Sequence, residues 1–254
     1  MSGAAGPDIH LAYAGMILLG AILLACLRVT RDLRGADERR QYYLLQAITL
    51  VGALLGMKVA VMMGDARWPL QPFHDWETLL WSGRSITGAL LFGFLAAELA
   101  KPLLGYTLPP NDRFATVLPF SIAIGRIGCL LSGCCLGVPY DGALAMRAAD
   151  GVMRHPAPLY ELAFNLIVGI VFVLLLRRRL LFGRLFALYL VLYGAFHFAI
   201  EFVRDTPKDY AAGLSGYQWL SLAMLALGLL FLARRTLAPP AWSTRRAELL
   251  ESGT

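Results

Sequence analysis

One arginine in this sequence stands where a charge is least welcome. Within PFSIAIGRIGCLLSGCCLG, residues 119–137, Arg126 occupies the middle of a glycine-studded apolar run. Residues 114–137 are long enough to cross a bilayer, which takes about 20 apolar residues. A guanidinium near the centre of such a span costs roughly 2.5–3.5 kcal/mol on insertion scales, so it must face protein or a wet cavity. Its donors match phosphate oxygens in pairs, and a phospholipid headgroup is the anion most available at that depth. Two structural readings compete with this one: Arg126 pairs with an intramembrane carboxylate, or the segment is re-entrant and the arginine reaches solvent.

A second group lies in the run from Tyr193 to Arg204. His197 and Glu201 are four residues apart, Tyr193 stands one turn earlier and Arg204 three residues later, a spacing that puts all four on one face of a continuous helix. Such a stripe has to face the interior of a bundle. Arg204 is then the second candidate for a phosphate, Glu201 a group that orients an arginine, and His197 the candidate base for an incoming thiol or hydroxyl. Self-satisfied pairs of Glu201 with Arg204 or His197 are the structural alternative. The third group is Cys129, Cys134 and Cys135, with Gly125, Gly128, Gly133 and Gly137 around them. Their C-x4-C-C spacing differs from the C-x2-C pairs typical of zinc and iron–sulfur ligation, so no metal and no cofactor is assigned. Close helix packing by small residues and candidate reactive thiols both remain open.

The elements that hold these groups must be membrane helices. Of 254 residues, 58% are hydrophobic and 16% charged, and the mean hydropathy is +0.61, too apolar for an ordinary soluble domain. The expected fold class is all-α, a polytopic membrane protein of seven spans near 10–27, 43–64, 79–99, 114–137, 158–176, 185–203 and 217–233. The opening MSGAAGPDIH lacks a basic n-region, so the first span is expected to be retained. The net charge of +6 resides in clusters beside the spans, which argues against nucleic acid as a partner and for a positive-inside pattern. Of 23 Lys and Arg, 15 fall in segments assigned to the cytoplasm and 4 in outer segments, while Lys58, Arg84, Arg126 and Arg204 fall in or beside spans. The N-terminus is therefore expected outside and the C-terminus inside. A single domain over 1–236 carries a short outer polar insert at 138–157, and 237–254 forms a cytoplasmic tail.

Taken in order, these motifs resemble those of the prolipoprotein diacylglyceryl transferases, multi-pass enzymes of the bacterial inner membrane. GRIGCLLSGCCLG (125–137) is similar to the family signature that begins Gly-Arg-Ile-Gly-Asn and ends in glycine. RHPAPLYE (154–161) resembles Arg-His-Pro-Ser-Gln-Leu-Tyr-Glu, and HFAIEFVRDTP (197–207) resembles Arg-Phe-x-x-Glu-Phe-x-Arg. HLAYAGM aligns Tyr13 with a first-span tyrosine motif, and SGYQWLS matches a Gly-Gln element at the last span. The resemblance implies transfer of diacylglyceryl from phosphatidylglycerol to the lipobox cysteine thiol of a preprolipoprotein, forming a thioether and releasing glycerol phosphate. It implies that Arg126 holds the lipid phosphate, that Glu201 and Tyr193 support the site and that Gly137 keeps the signature loop close. Tyr13, Arg204, His155 and Tyr160 complete the expected substrate contacts. The family has histidine where Thr87 falls, asparagine at Cys129, glutamate at Cys134 and arginine at His197. Those departures leave a second reading, a paralogue of other specificity, or without catalysis, that handles lipid or metal in the membrane.

Overall fold

The computed structural model describes residues 19, 35–65, 68–69, 85–106 and 112–237. Apart from residue 19, the first expected span lies outside the described residues, as do Tyr13, Cys26 and Arg84. Among those described are six helices: α1 (Ala36–Gly64), α2 (Ile86–Leu103), α3 (Asp112–Ser132), α4 (Ala157–Arg177), α5 (Leu185–Ile200) and α6 (Gly216–Leu237). All but α5 are long and apolar enough to cross a membrane, and the chain is a polytopic membrane protein. On α1, Leu50, Val51, Leu54 and Leu55 are exposed, and on α4 so are Ile167, Ile170, Val171 and Leu174. A water-soluble helix would carry polar groups there; lipid explains their absence.

Two compact units divide the chain. One contains 111–185 and 199–205, hence α3, α4 and the end of the α5 segment. Asp112 begins α3, and its Oδ2 accepts a 2.5 Å hydrogen bond from the backbone N–H of Gly183. On α4, Gly169 leaves room for the Phe120 ring of α3. Between α3 and α4 the polar insert forms a two-stranded antiparallel ladder, β1 (Met146–Arg147) and β2 (Met153–Arg154), with Met146 opposite Arg154.

The other unit contains 30–110, 186–198 and 206–254. Here α1 and α2 approach closely through small residues: a side chain at Gly56 would collide with Phe92 and the Gly88 carbonyl, and one at Gly88 with the Gly56 carbonyl and Ala60. Membrane helices gain contact this way because lipid supplies no hydrophobic drive for their association. The Ser85 side chain caps α2 by accepting from the Gly88 N–H at 3.3 Å. Glu98 near the other end of α2 is paired with Lys101 and, at 2.9 Å, with Arg235 of α6.

The α5 helix departs from expectation. A span over 185–203 is anticipated, but the helix stops at Ile200 and 201–203 form a turn. Sixteen residues reach roughly 24 Å at 1.5 Å each, short of the ~30 Å hydrocarbon core. The helix stops there because Arg204 forms an antiparallel bridge with Gly137 and the Val203 carbonyl accepts from the Val138 N–H at 2.9 Å. The expected helical face running from Tyr193 to Arg204 is thus cut between His197 and Glu201.

Candidate active site

Burial without water makes each ionisable group find a partner, and in the first unit four of them do so together. Arg126 Nη2 on α3 lies 2.5 Å from Glu161 Oε2 on α4, and Arg204 Nη1 lies 3.1 Å from Glu161 Oε1. Arg204 Nε stands 3.4 Å from Glu201 Oε2. Two guanidiniums and two carboxylates leave the group neutral. One turn further along α4, the buried Asn165 donates from Nδ2 to the Glu161 backbone carbonyl at 2.8 Å. The Arg126 side chain is 10% exposed and that of Arg204 21%, whereas Glu161 and Glu201 are 1% and 0% exposed. Arg126 does therefore pair with a carboxylate of a membrane helix, and its partner joins it to the second arginine. The arginines are the members of the group with surface to offer an anion.

Gly137 ties three sequence motifs to this group. Its N–H donates to the His155 carbonyl at 2.8 Å, and its own carbonyl accepts from Arg154 Nη1 at 3.3 Å. A Cβ at this position would run into the Val203 carbonyl, so only glycine permits the bridge to Arg204. Arg154 also pairs with Asp205 at 3.0 Å and Asp150 at 2.9 Å. The backbone N–H of Val152 and the Arg154 guanidinium hold the Asp150 carboxyl below its ordinary value. His155 stacks on Tyr140 with centroids 3.9 Å apart, and its Nδ1 is 3.2 Å from the Tyr160 hydroxyl.

The cysteines converge beside Arg126. Arg126 Nη1 is 3.7 Å from Cys129 Sγ, Cys134 and Cys135 sulfurs are 3.5 Å apart, and the Ser132 hydroxyl is 3.1 Å from Cys134 Sγ.

His197 and Tyr193 fall in the second unit. Both are buried, with ring centroids 5.5 Å apart. His197 Nδ1 is 3.2 Å from Ser221 Oγ, and that hydroxyl donates its proton to the Tyr217 carbonyl at 2.7 Å. Because that hydroxyl's proton is committed to Tyr217, Nδ1 is the donor of the pair, and Nε2 is the ring nitrogen that can take up a proton when the ring is neutral. Thr87 also lies in this unit, wholly buried, its Oγ1 without a hydrogen-bond partner.

Sequence reasoning left Glu161, Arg154 and Tyr140 out of the site. For Glu161 a signal existed: two arginines in apolar surroundings need two acids, and Glu201 is one.

Residues 6–234 match the family described as prolipoprotein diacylglyceryl transferase. This chain belongs to that family. Among the curated relatives, a phosphatidylglycerol–prolipoprotein diacylglyceryl transferase of Bordetella bronchiseptica is 33% identical over 247 residues, covering 87% of this chain and 90% of the relative. The enzyme of that name from Bordetella parapertussis is 36% identical with the same coverage. One from Dehalococcoides mccartyi is 31% identical over 235 residues, covering 88% of each chain. The diacylglyceryl transferase family match spans both units and includes every described member of the buried arginine–glutamate group.

Proposed function

We propose that this chain transfers diacylglyceryl from phosphatidylglycerol to the cysteine thiol of a prolipoprotein, at the outer face of a bacterial cytoplasmic membrane. The observation that carries the reading is the convergence of Arg126 and Arg204, from two separate motifs, on the buried Glu161. Within one domain of seven spans, N-terminus out and C-terminus in, this convergence supports a role for the two cations in holding a headgroup phosphate. The thiol sulfur attacks the glyceryl carbon that bears the phosphate ester. A C–S bond forms, the C–O bond breaks, and glycerol phosphate leaves with the electron pair. Donors aimed at the departing phosphate lower the barrier because negative charge grows there. Arg126 and Arg204 are those donors, and Glu201 fixes the fork of Arg204. The thiol proton needs an acceptor, and Nε2 of His197 is the lone pair proposed for it. Tyr13, Gly137, Tyr193, His155 and Tyr160 are proposed to position the substrates.

The test is expression in a bacterium depleted of its own transferase, with mass spectrometry of a lipoprotein's N-terminal cysteine peptide. The expected result is the diacylglyceryl adduct with wild type and none with Arg126→Ala, both proteins being present in the membrane fraction. An inserted wild-type protein that yields no adduct would overturn the reading and leave the paralogue of other specificity, for which the Thr87 departure speaks.

A further inference from the structure

The sequence spacing of Cys129, Cys134 and Cys135 gives no metal-ligand pattern, yet the fold brings their sulfurs together. All three Sγ atoms lie within 4.8 Å of one another. Cys129 sits in the last turn of α3, and the chain then reverses through Gly133 and Cys135, each with φ of +63°. A left-handed residue at Gly133 is ordinary, but at a cysteine it is uncommon. The effect is to aim two adjacent cysteines back at the third. All three are free thiols, graded from buried Cys129 through Cys134 to exposed Cys135, so the cluster has one closed and one open side.

We propose that Cys129, Cys134 and Cys135 form a three-thiolate site for a soft metal ion of the Cu(I) class. Three sulfurs in a plane around a metal at about 2.3 Å stand about 4 Å apart. From separations between 3.5 Å and 4.8 Å, the sulfurs need to shift by less than an ångström to reach that geometry. Softness selects the ion: thiolate ligands favour Cu(I) and Zn(II), and structural zinc takes four protein ligands, whereas among the described residues this group of His, Cys, Asp and Glu side chains contains three. Charge agrees. Three thiolates around a monovalent cation carry two excess negative charges, and the Arg126 guanidinium stands 3.7 Å from Cys129 Sγ to balance part of them. On binding, each thiol releases its proton to solvent and no electron is transferred, so Cu(I) itself is the only added reactant.

The experiment uses the full chain in lipid nanodiscs under reducing conditions. Cu(I) is supplied in competition with a chromophoric chelator, and X-ray absorption at the copper edge reads the ligands. One equivalent bound, with three sulfur neighbours, is expected. Cys129→Ser, Cys134→Ser and Cys135→Ser should each weaken binding by more than about 100-fold, beyond what loss of an outer partner costs, while Cys26→Ser should leave it unchanged. Because a serine variant can perturb folding, the wild-type protein is also treated with N-ethylmaleimide and its cysteine peptides are weighed. One equivalent of Cu(I) should protect all three thiols together. Equal labelling with and without copper, undiminished affinity in the three serine variants, or preference for Zn(II) over Cu(I) would each overturn the assignment.

Discussion

At the scale of residues, Glu161 determines whether the two arginines can share one place. Removing one partner of a buried ion pair leaves uncompensated charge, at a cost of about 3–5 kcal/mol, and here Glu161 serves two partners. Glu161→Gln should lower the melting temperature of the purified protein and abolish transfer. If the arginines are a phosphate site, an anionic headgroup can replace the lost carboxylate. Nanodiscs of phosphatidylglycerol should then restore more of the variant's melting temperature than nanodiscs of phosphatidylcholine, with a smaller difference for wild type. Equal recovery in both lipids would remove the phosphate role. Arg126 and Arg204 were legible in the sequence because charge in an apolar run has a cost that demands a reason. Glu161 was passed over although the same charge balance called for a second acid, because it follows a proline-led helix start, where an acidic residue reads as part of an ordinary beginning.

Elements were legible where hydropathy alone decides them and illegible where a tertiary bond does. Expected and observed helices agree closely for α4, at 158–176 against Ala157–Arg177, and for α6, at 217–233 against Gly216–Leu237. They part at α5, since the bridge between Gly137 and Arg204 joins residues far apart in sequence and no periodicity announces it. The bridge also explains the glycine that ends the signature. Gly137→Ala would drive a methyl group into the Val203 carbonyl, and overpacking of this kind costs about 1–3 kcal/mol. The loop should lift, separating Arg204 from the ladder that sets its backbone. The expected outcome is a transfer activity reduced by far more than the fall in melting temperature would account for. Faster amide exchange at Val138 and Gly137, where the carbonyls of Val203 and His155 now accept, is the measurement that locates the damage. Unchanged exchange with lost activity would mean the bridge does not position the site.

For the whole molecule, the claim most exposed to test is its orientation. The cations cluster after the first span, after the third, in the Arg177–Arg184 turn and from the last turn of α6 onward, and together these segments hold 15 of 23. Lys and Arg resist translocation, so the bias sets which side each loop takes. On the proposed orientation, the hairpin of β1 and β2, with Asp150, Arg154 and Asp205 paired at its base, stands outside, the side from which a translocated prolipoprotein would present its thiol. Reporter fusions separate the two orientations without changing a member of the buried arginine–glutamate group. Alkaline phosphatase inserted after Gly151 should be active, because it folds only after export, and green fluorescent protein after Arg235 should fluoresce, because it matures inside. The reverse pair of results would place the hairpin in the cytoplasm. Arg126 and Arg204 would keep their partners in that case, since the ion pairs are internal to one unit, but they would meet lipid and thiol from the wrong side, and the transferase reading would fail on access with its geometry intact.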